Sequence, residues 1–161
     1  MNNTKIISSI LTFTFILSST FLFSNSLSLI DNTDGTWNVD YTTDTPIGGF
    51  QFTIDDSADI ITVSGAEGGL AEEYNFEVST SELGIVIGFS FSGDVIPAGS
   101  GVLTNILFNV SGSGSTTVCI NDPIISDENG QGLSASGDCA PVDFAAGSAA
   151  LSFGEVDMDS I

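Results

Sequence analysis

Histidine is missing from this 161-residue sequence, and lysine and arginine together occur once, as Lys5, against 21 aspartates and glutamates. Without histidine there is no imidazole metal ligand, no imidazole general base and no Ser-His-Asp triad. With a formal net charge of −20 the chain cannot build the positive patch that nucleic-acid binding requires, because its field repels phosphate. No long stretch carries a convincing helical stripe of apolar side chains, so crossover helices have nowhere to sit and a parallel α/β architecture is excluded. Nothing in the composition assembles a catalytic set, and no enzyme activity is expected.

Lys5 precedes an apolar run from Ile6 to Phe23 that only Ser and Thr interrupt, and Ser24-Asn25-Ser26 places small residues where a signal peptidase reads. Residues 1–26 are therefore expected to be a secretory signal peptide cleaved after Ser26, leaving a secreted or cell-surface protein without stable membrane insertion. The alternative is a retained membrane helix or the apolar stem of a filament subunit, since a run of this length is near the lower limit for spanning a bilayer. Cleavage leaves all 21 acidic side chains and no basic one. Burial and backbone pairing must then hold the fold against self-repulsion, which salt screens over about 8 Å at physiological ionic strength. In a secreted chain, the only two cysteines imply one disulfide between Cys119 and Cys139, contributing about 3 kcal/mol if unstrained.

Beyond Ser26 the period is two. Leu27 and Leu29 alternate before Asp31-Asn32, and the turn signal Asp34-Gly35 leads into Trp37, Val39 and Tyr41 on one face with Asn38 and Asp40 on the other. After Gly48-Gly49, which signal a bulge or a close backbone approach, come Phe50, Phe52 and Ile54. Ile85, Ile87, Phe89 and Phe91 make the strongest alternation and are assigned to the core, opposed by the smaller Val86, Gly88, Ser90 and Ser92. Val102, Thr104, Ile106, Phe108 and Val110 follow, then Val118 and Ile120, and Leu151 with Phe153 offer a terminal strand in the acidic segment 140–161. About eight or nine short strands separated by Gly, Asp, Asn and Ser turns predict an all-β fold, an antiparallel two-sheet sandwich. The expected core is Trp37, Val39, Tyr41, Phe50, Phe52, Ile54, Ile85, Ile87, Phe89, Phe91, Ile106 and Phe108.

Trp37-Asn38-Val39-Asp40-Tyr41, Pro46-Ile47-Gly48-Gly49-Phe50-Gln51-Phe52 and Ile96-Pro97-Ala98-Gly99-Ser100-Gly101-Val102-Leu103 resemble successive landmarks of cohesin-like modules and their relatives among carbohydrate-binding domains. The resemblance covers residues 27–139. It implies a jelly-roll β-sandwich of about nine strands, whose family members present one sheet face to a calcium-bound dockerin partner. Unlike scaffolding proteins, the sequence is expected to hold this one module with no dockerin-like repeat, linker or anchor.

Several residues are candidate sites. Asp31, Asn32 and Asp34, and Asp127 with Asn129, have the oxygen chemistry that calcium takes, although Asp/Asn-rich turns need no metal, and no cofactor is required. Asn109-Val110-Ser111 is a glycosylation sequon. Trp37, Tyr41 and Tyr74 are candidate partner contacts, the first two also fitting a core. Two functions follow. The favoured one is a structural subunit that self-associates into a filament or surface assembly by β-strand contacts, with Leu27 and Leu29, or Leu151 and Phe153, as donor anchors. The alternative is a secreted binding module for a dockerin-like protein or a glycan.

Overall fold

The computed structural model describes residues 25–144, so residues 1–24 of the expected signal segment and the anchors Leu151 and Phe153 lie outside the described residues, while Asn25 and Ser26, the last two residues of that segment, belong to the fold: Ser26 pairs with Thr42 and Ser136. Eleven strands and one short helix follow in order: β1 (Ser26–Asp31), β2 (Thr36–Thr43), β3 (Gly49–Asp56), β4 (Ile61–Glu67), α1 (Gly69–Glu73), β5 (Glu77–Thr80), β6 (Ile85–Phe89), β7 (Gly99–Val110), β8 (Gly114–Ser126), β9 (Gly132–Ser134), β10 (Ser136–Gly137) and β11 (Cys139–Phe144). They form two packed sheets, one of order β10-β1-β2-β7-β4 and one of order β11-β8-β3-β6-β5 with β9 beside β8. The all-β two-sheet sandwich expected from the sequence is the observed architecture, with more strands than expected. It is antiparallel except for β1 and β10, which run parallel. Helix α1 occupies the Gly/Ala/Glu-rich loop; one turn fits there because Gly68 and Gly69 both take positive φ, and a side chain at Gly69 would strike the Leu103 carbonyl.

The two sheets bury one continuous apolar layer. Trp37, Val39 and Tyr41 of β2 meet Phe50, Phe52 and Ile54 of β3, and Ile47, Val86, Ile96, Leu103, Ile106, Val118 and Ile125 fill the space between them. Phe50 stacks between Phe52 and Phe76, with ring centroids 6.0 and 6.1 Å apart, a geometry that adds to simple area burial. The Tyr41 hydroxyl donates to the Pro97 carbonyl at 3.0 Å, so the one polar atom of that buried ring is satisfied. Phe108 is half-buried and packs edge-on against Trp37. A register shift between Val39 and Asp40 puts consecutive residues Leu103 and Thr104 both inside. Buried Thr104 is tolerated because its hydroxyl donates to the Glu67 carbonyl.

One face assignment is reversed. In β6 it is Val86 and Gly88 that point inward, while Ile85 is half-buried and Ile87 and Phe89 are exposed at 38% and 39%; Phe91, in the turn after β6, is exposed at 82%. The cause is the volume of Phe50: its ring occupies the space over Gly88, where even a Cβ would collide with it. Only the face carrying glycine can be laid against that ring. The long apolar side chains must take the other side.

The Cys119–Cys139 disulfide is formed. It joins register partners on β8 and β11 and staples the edge strand to its sheet. Val142 follows it into the core at 7% exposure.

Candidate functional site

The outer face of the β11-β8-β3-β6-β5 sheet is where β6 displays its large side chains. Register partners in antiparallel strands share a face, so the pairings lay the surface out in rows. One row runs Ser79, Ile87, Gln51, Ile124 and Ser134, and the next runs Glu77, Phe89, Gly49, Ser126 and Gly132. A third holds Ile85, Thr53 and Asn121, and a fourth Asp55 and the disulfide. The apolar half is therefore Ile85, Ile87, Phe89 and Ile124, with Phe91 packed edge-on against Phe89 at 4.7 Å. Ile124 is 45% exposed. These exposed apolar side chains are contiguous on one sheet face rather than singly scattered, which makes the face the candidate site.

Gly49 sits where that face is lowest. Between Phe89 and Ser126 it contributes no side chain, and the space above it opens into a shallow depression of about 220 Å³ lined by Gln51, Ile87, Phe89, Ile124 and Ser126. A second hollow of about 320 Å³ shares Gly49, Phe89 and Ser126 and runs on to Asp94, Asp127 and Glu128. Close approach shapes it from below: a side chain at Gly48 would collide with the Asp127 carbonyl, which locks the β8–β9 turn against the entry of β3. Gly48 donates its N–H to the Ser126 carbonyl at 2.8 Å.

The candidate calcium residues are engaged in turns. Asp31 Oδ1 accepts the Thr33 N–H, and Asp34 Oδ1 accepts both the N–H and the hydroxyl of Thr36; those bonds to Thr36 hold the Asp34 carboxyl below its ordinary range. Asn32 donates to Asn38 and Thr36 side chains. Asp127 Oδ1 accepts the N–H groups of Asn129 and Gln131 at 2.9 and 2.8 Å. The two groups of residues lie in separate turns. Among the described residues no three acidic or thiol side chains converge as a metal would need. Asn109 is exposed on β7, paired with Thr62. Trp37 and Tyr41, at 4% and 3% exposure, are removed as partner contacts, and Tyr74 packs against the core. Leu27 and Leu29 are buried in their own sheet, with β1 paired to β2 along its length and to β10 at Ser26 and Leu27.

The outer face of the other sheet is mostly polar, with Ser28 paired to Asp40 and Asn38 to Asn105; its exposed large apolar residue is Ile30, the register partner of Asn38. Burial pushes the Asp40 carboxyl above its ordinary value, and its Oδ1 has no hydrogen-bond partner. Asp40 lies on the other sheet from the depression.

No protein-family model matches the sequence, and no curated protein matches it. Solved structures do. The sixth cohesin of Acetivibrio cellulolyticus scaffoldin B, solved in complex with a dockerin, aligns over 76% of this chain and 99% of its own with a TM-score of 0.57 and 18% identity. This chain has the cohesin fold. A cohesin module of a Clostridium perfringens family 33 glycoside hydrolase shares the fold over 75% of this chain and 96% of its own, with a TM-score of 0.57 and 10% identity. A non-cellulosomal cohesin from the archaeon Archaeoglobus fulgidus aligns over 73% and 90%, at 0.53 and 14%. Identities this low establish a shared cohesin fold and leave the face-by-face chemistry to the residues themselves.

Three of those residues, Glu77, Ile124 and Ser126, were not singled out as site residues from the sequence, Gly49 was read only as a sign of a bulge or close approach, and Ile87 and Phe89 were assigned to the opposite side. The legible signal was the alternation of Val86 and Gly88 with Ile87 and Phe89 beside a strand holding Phe50 and Phe52.

Proposed function

We propose that this protein is a secreted, non-catalytic binding module that docks a dockerin-like protein on the outer face of its β11-β8-β3-β6-β5 sheet. The observation that carries this reading is the exposed apolar group Ile87, Phe89, Phe91 and Ile124, set on a flat sheet that no described element covers. A partner burying it gains about 25 cal/mol for each Å² of apolar surface removed from water, less the cost of ordering the interface. The cohesin fold supports it, because cohesins of that fold are solved bound to dockerins. Any calcium in such a complex belongs in this reading to the partner. The disulfide supports an oxidising, extracytoplasmic location.

Self-assembly into a filament has weaker support. Leu27 and Leu29 are held within the chain's own sheet, and a net charge of −20 opposes contact between copies. A glycan platform has less again, since Trp37 and Tyr41 are inside.

Titration of the purified protein against a panel of calcium-loaded dockerins by isothermal calorimetry tests the reading. At least one should bind saturably, and Phe89→Ser should weaken it by roughly 2 kcal/mol or more, as expected of a central aromatic anchor. A panel without a binder, or binding indifferent to Phe89→Ser, would overturn it.

A further inference from the structure

We propose that the second hollow, which runs from Gly49 and Phe89 to Asp94, Asp127 and Glu128, is the seat of a cationic side chain, a lysine or arginine carried by the docked partner; this rests on the docking reading above and names the chemistry of its anchor. The hollow brings the apolar Phe89 and the bare backbone of Gly49 together with three carboxylates, Asp94, Asp127 and Glu128; the neutral hydrogen bonds that Asp94 and Asp127 accept leave their charge uncompensated. Glu77 stands on the other side of Phe89 as its register partner on β5. A long basic side chain matches that combination: its methylene stem lies along Phe89 and Gly49 while its charged end reaches the carboxylates, and a cation near a phenyl face gains a further attraction.

Charge complementarity selects this occupant over the others. The described residues contain no lysine or arginine, so nothing within residues 25–144 neutralises these carboxylates. A second copy would bring more carboxylates to the hollow and be repelled. A purely apolar knob would strip water from those carboxylates and leave them without a counter-charge, which is costly. Gly49 makes the seat available. It lies in extended β3 with no positive φ, and a Cβ there would stand 3.4 Å from the Gly88 carbonyl, 3.7 Å from Ser126 Oγ and 3.9 Å from Phe89 Cβ. The backbone therefore accepts a side chain at this position, and one placed there fills the seat.

Two designed helical peptides serve as probes. Each carries leucines along one face, flanked in one peptide by lysines and in the other by glutamates at the same positions. The lysine peptide should bind the purified protein saturably, and weaken by about tenfold or more between 20 and 500 mM NaCl as screening removes the charge term. Gly49→Val should weaken it by a similar factor with an unchanged melting temperature. Glu77→Gln with Glu128→Gln should weaken it without closing the seat, which keeps the test decisive if Gly49→Val is unstable. Saturable binding of the glutamate peptide at equal strength, failure of the lysine peptide, or salt-independent binding would each overturn the proposal. If the lysine peptide fails while a dockerin still binds in a Phe89-dependent way, the cationic anchor is wrong and the docking face stands. If dockerin binding loses its dependence on Phe89, the docking face itself is wrong.

Discussion

Strands β2 and β6 carry the same two-residue alternation of large apolar side chains, yet β2 turns Trp37, Val39 and Tyr41 inward while β6 turns Ile87 and Phe89 out to solvent. Both lie in the body of a sheet, β2 between β1 and β7 and β6 between β3 and β5. The side chains next to each strand decide. On β2 the small polar face of Asn38 and Asp40 gains nothing by entering the core, so the aromatic face goes in; on β6 the deciding neighbour is Phe50, register partner of Gly88 on the adjacent strand β3. Beneath β6 the Phe50 ring already fills the volume, and Gly88 is the residue that admits it. Period two specifies that a strand has a face; the packing of other strands specifies which face is buried.

The largest expected contrast between the two strands is in stability. Trp37→Ala should lower the unfolding free energy by about 3–5 kcal/mol, as removal of a large buried aromatic does, whereas Phe89→Ser should stay within about 0.5 kcal/mol, as at an exposed position. Urea unfolding of both variants checks this, and equal losses would break the comparison. Gly88→Ala should cost about 1–3 kcal/mol through overpacking against Phe50, with the loss relieved in the double variant Gly88→Ala, Phe50→Leu. Additive losses would show that Phe50 is not what sets the orientation of β6.

The smallest effect concerns the polar face of β2. Burial raises the Asp40 carboxyl above its unfolded value, so its ionisation opposes folding: the protein keeps the full benefit below the unfolded pKa and loses it as pH rises through the folded one. Asp40→Asn should therefore melt higher than the parent at pH 7 and no higher at pH 3. A thermal-melt series over that range reads the difference, and a gain at pH 3 with none at pH 7 would reverse the assigned sign.

The sandwich was legible because Trp37 to Tyr41, Phe50 to Ile54 and Val118 to Ile120 alternate cleanly between turn residues, and the disulfide because two cysteines have one pairing. The parallel β1–β10 contact was not, since Ser136–Gly137 is too short and too polar to carry a period. The single turn of α1 was hidden for a related reason: Gly69–Glu73 has no room for a helical stripe and is fixed by tertiary contact with β7. The outward face of β6 was hidden by its own strength. Ile85 through Phe91 has the most regular apolar alternation in the chain, and hydrophobicity alone reads such a strand as core. The exposure of that face depends on Phe50, contributed by a strand distant in sequence.

The central claim is that the β6 face, and not the polar face of the opposite sheet, receives the partner. Hydrogen–deuterium exchange on the purified protein with and without a bound calcium-loaded dockerin tests it most directly, since the two outer faces are built from different strands. The account predicts added protection on β3, β5, β6 and the Ile124 end of β8, with β1, β2 and β4 unchanged. Protection confined to β1, β2 and β4 would contradict it.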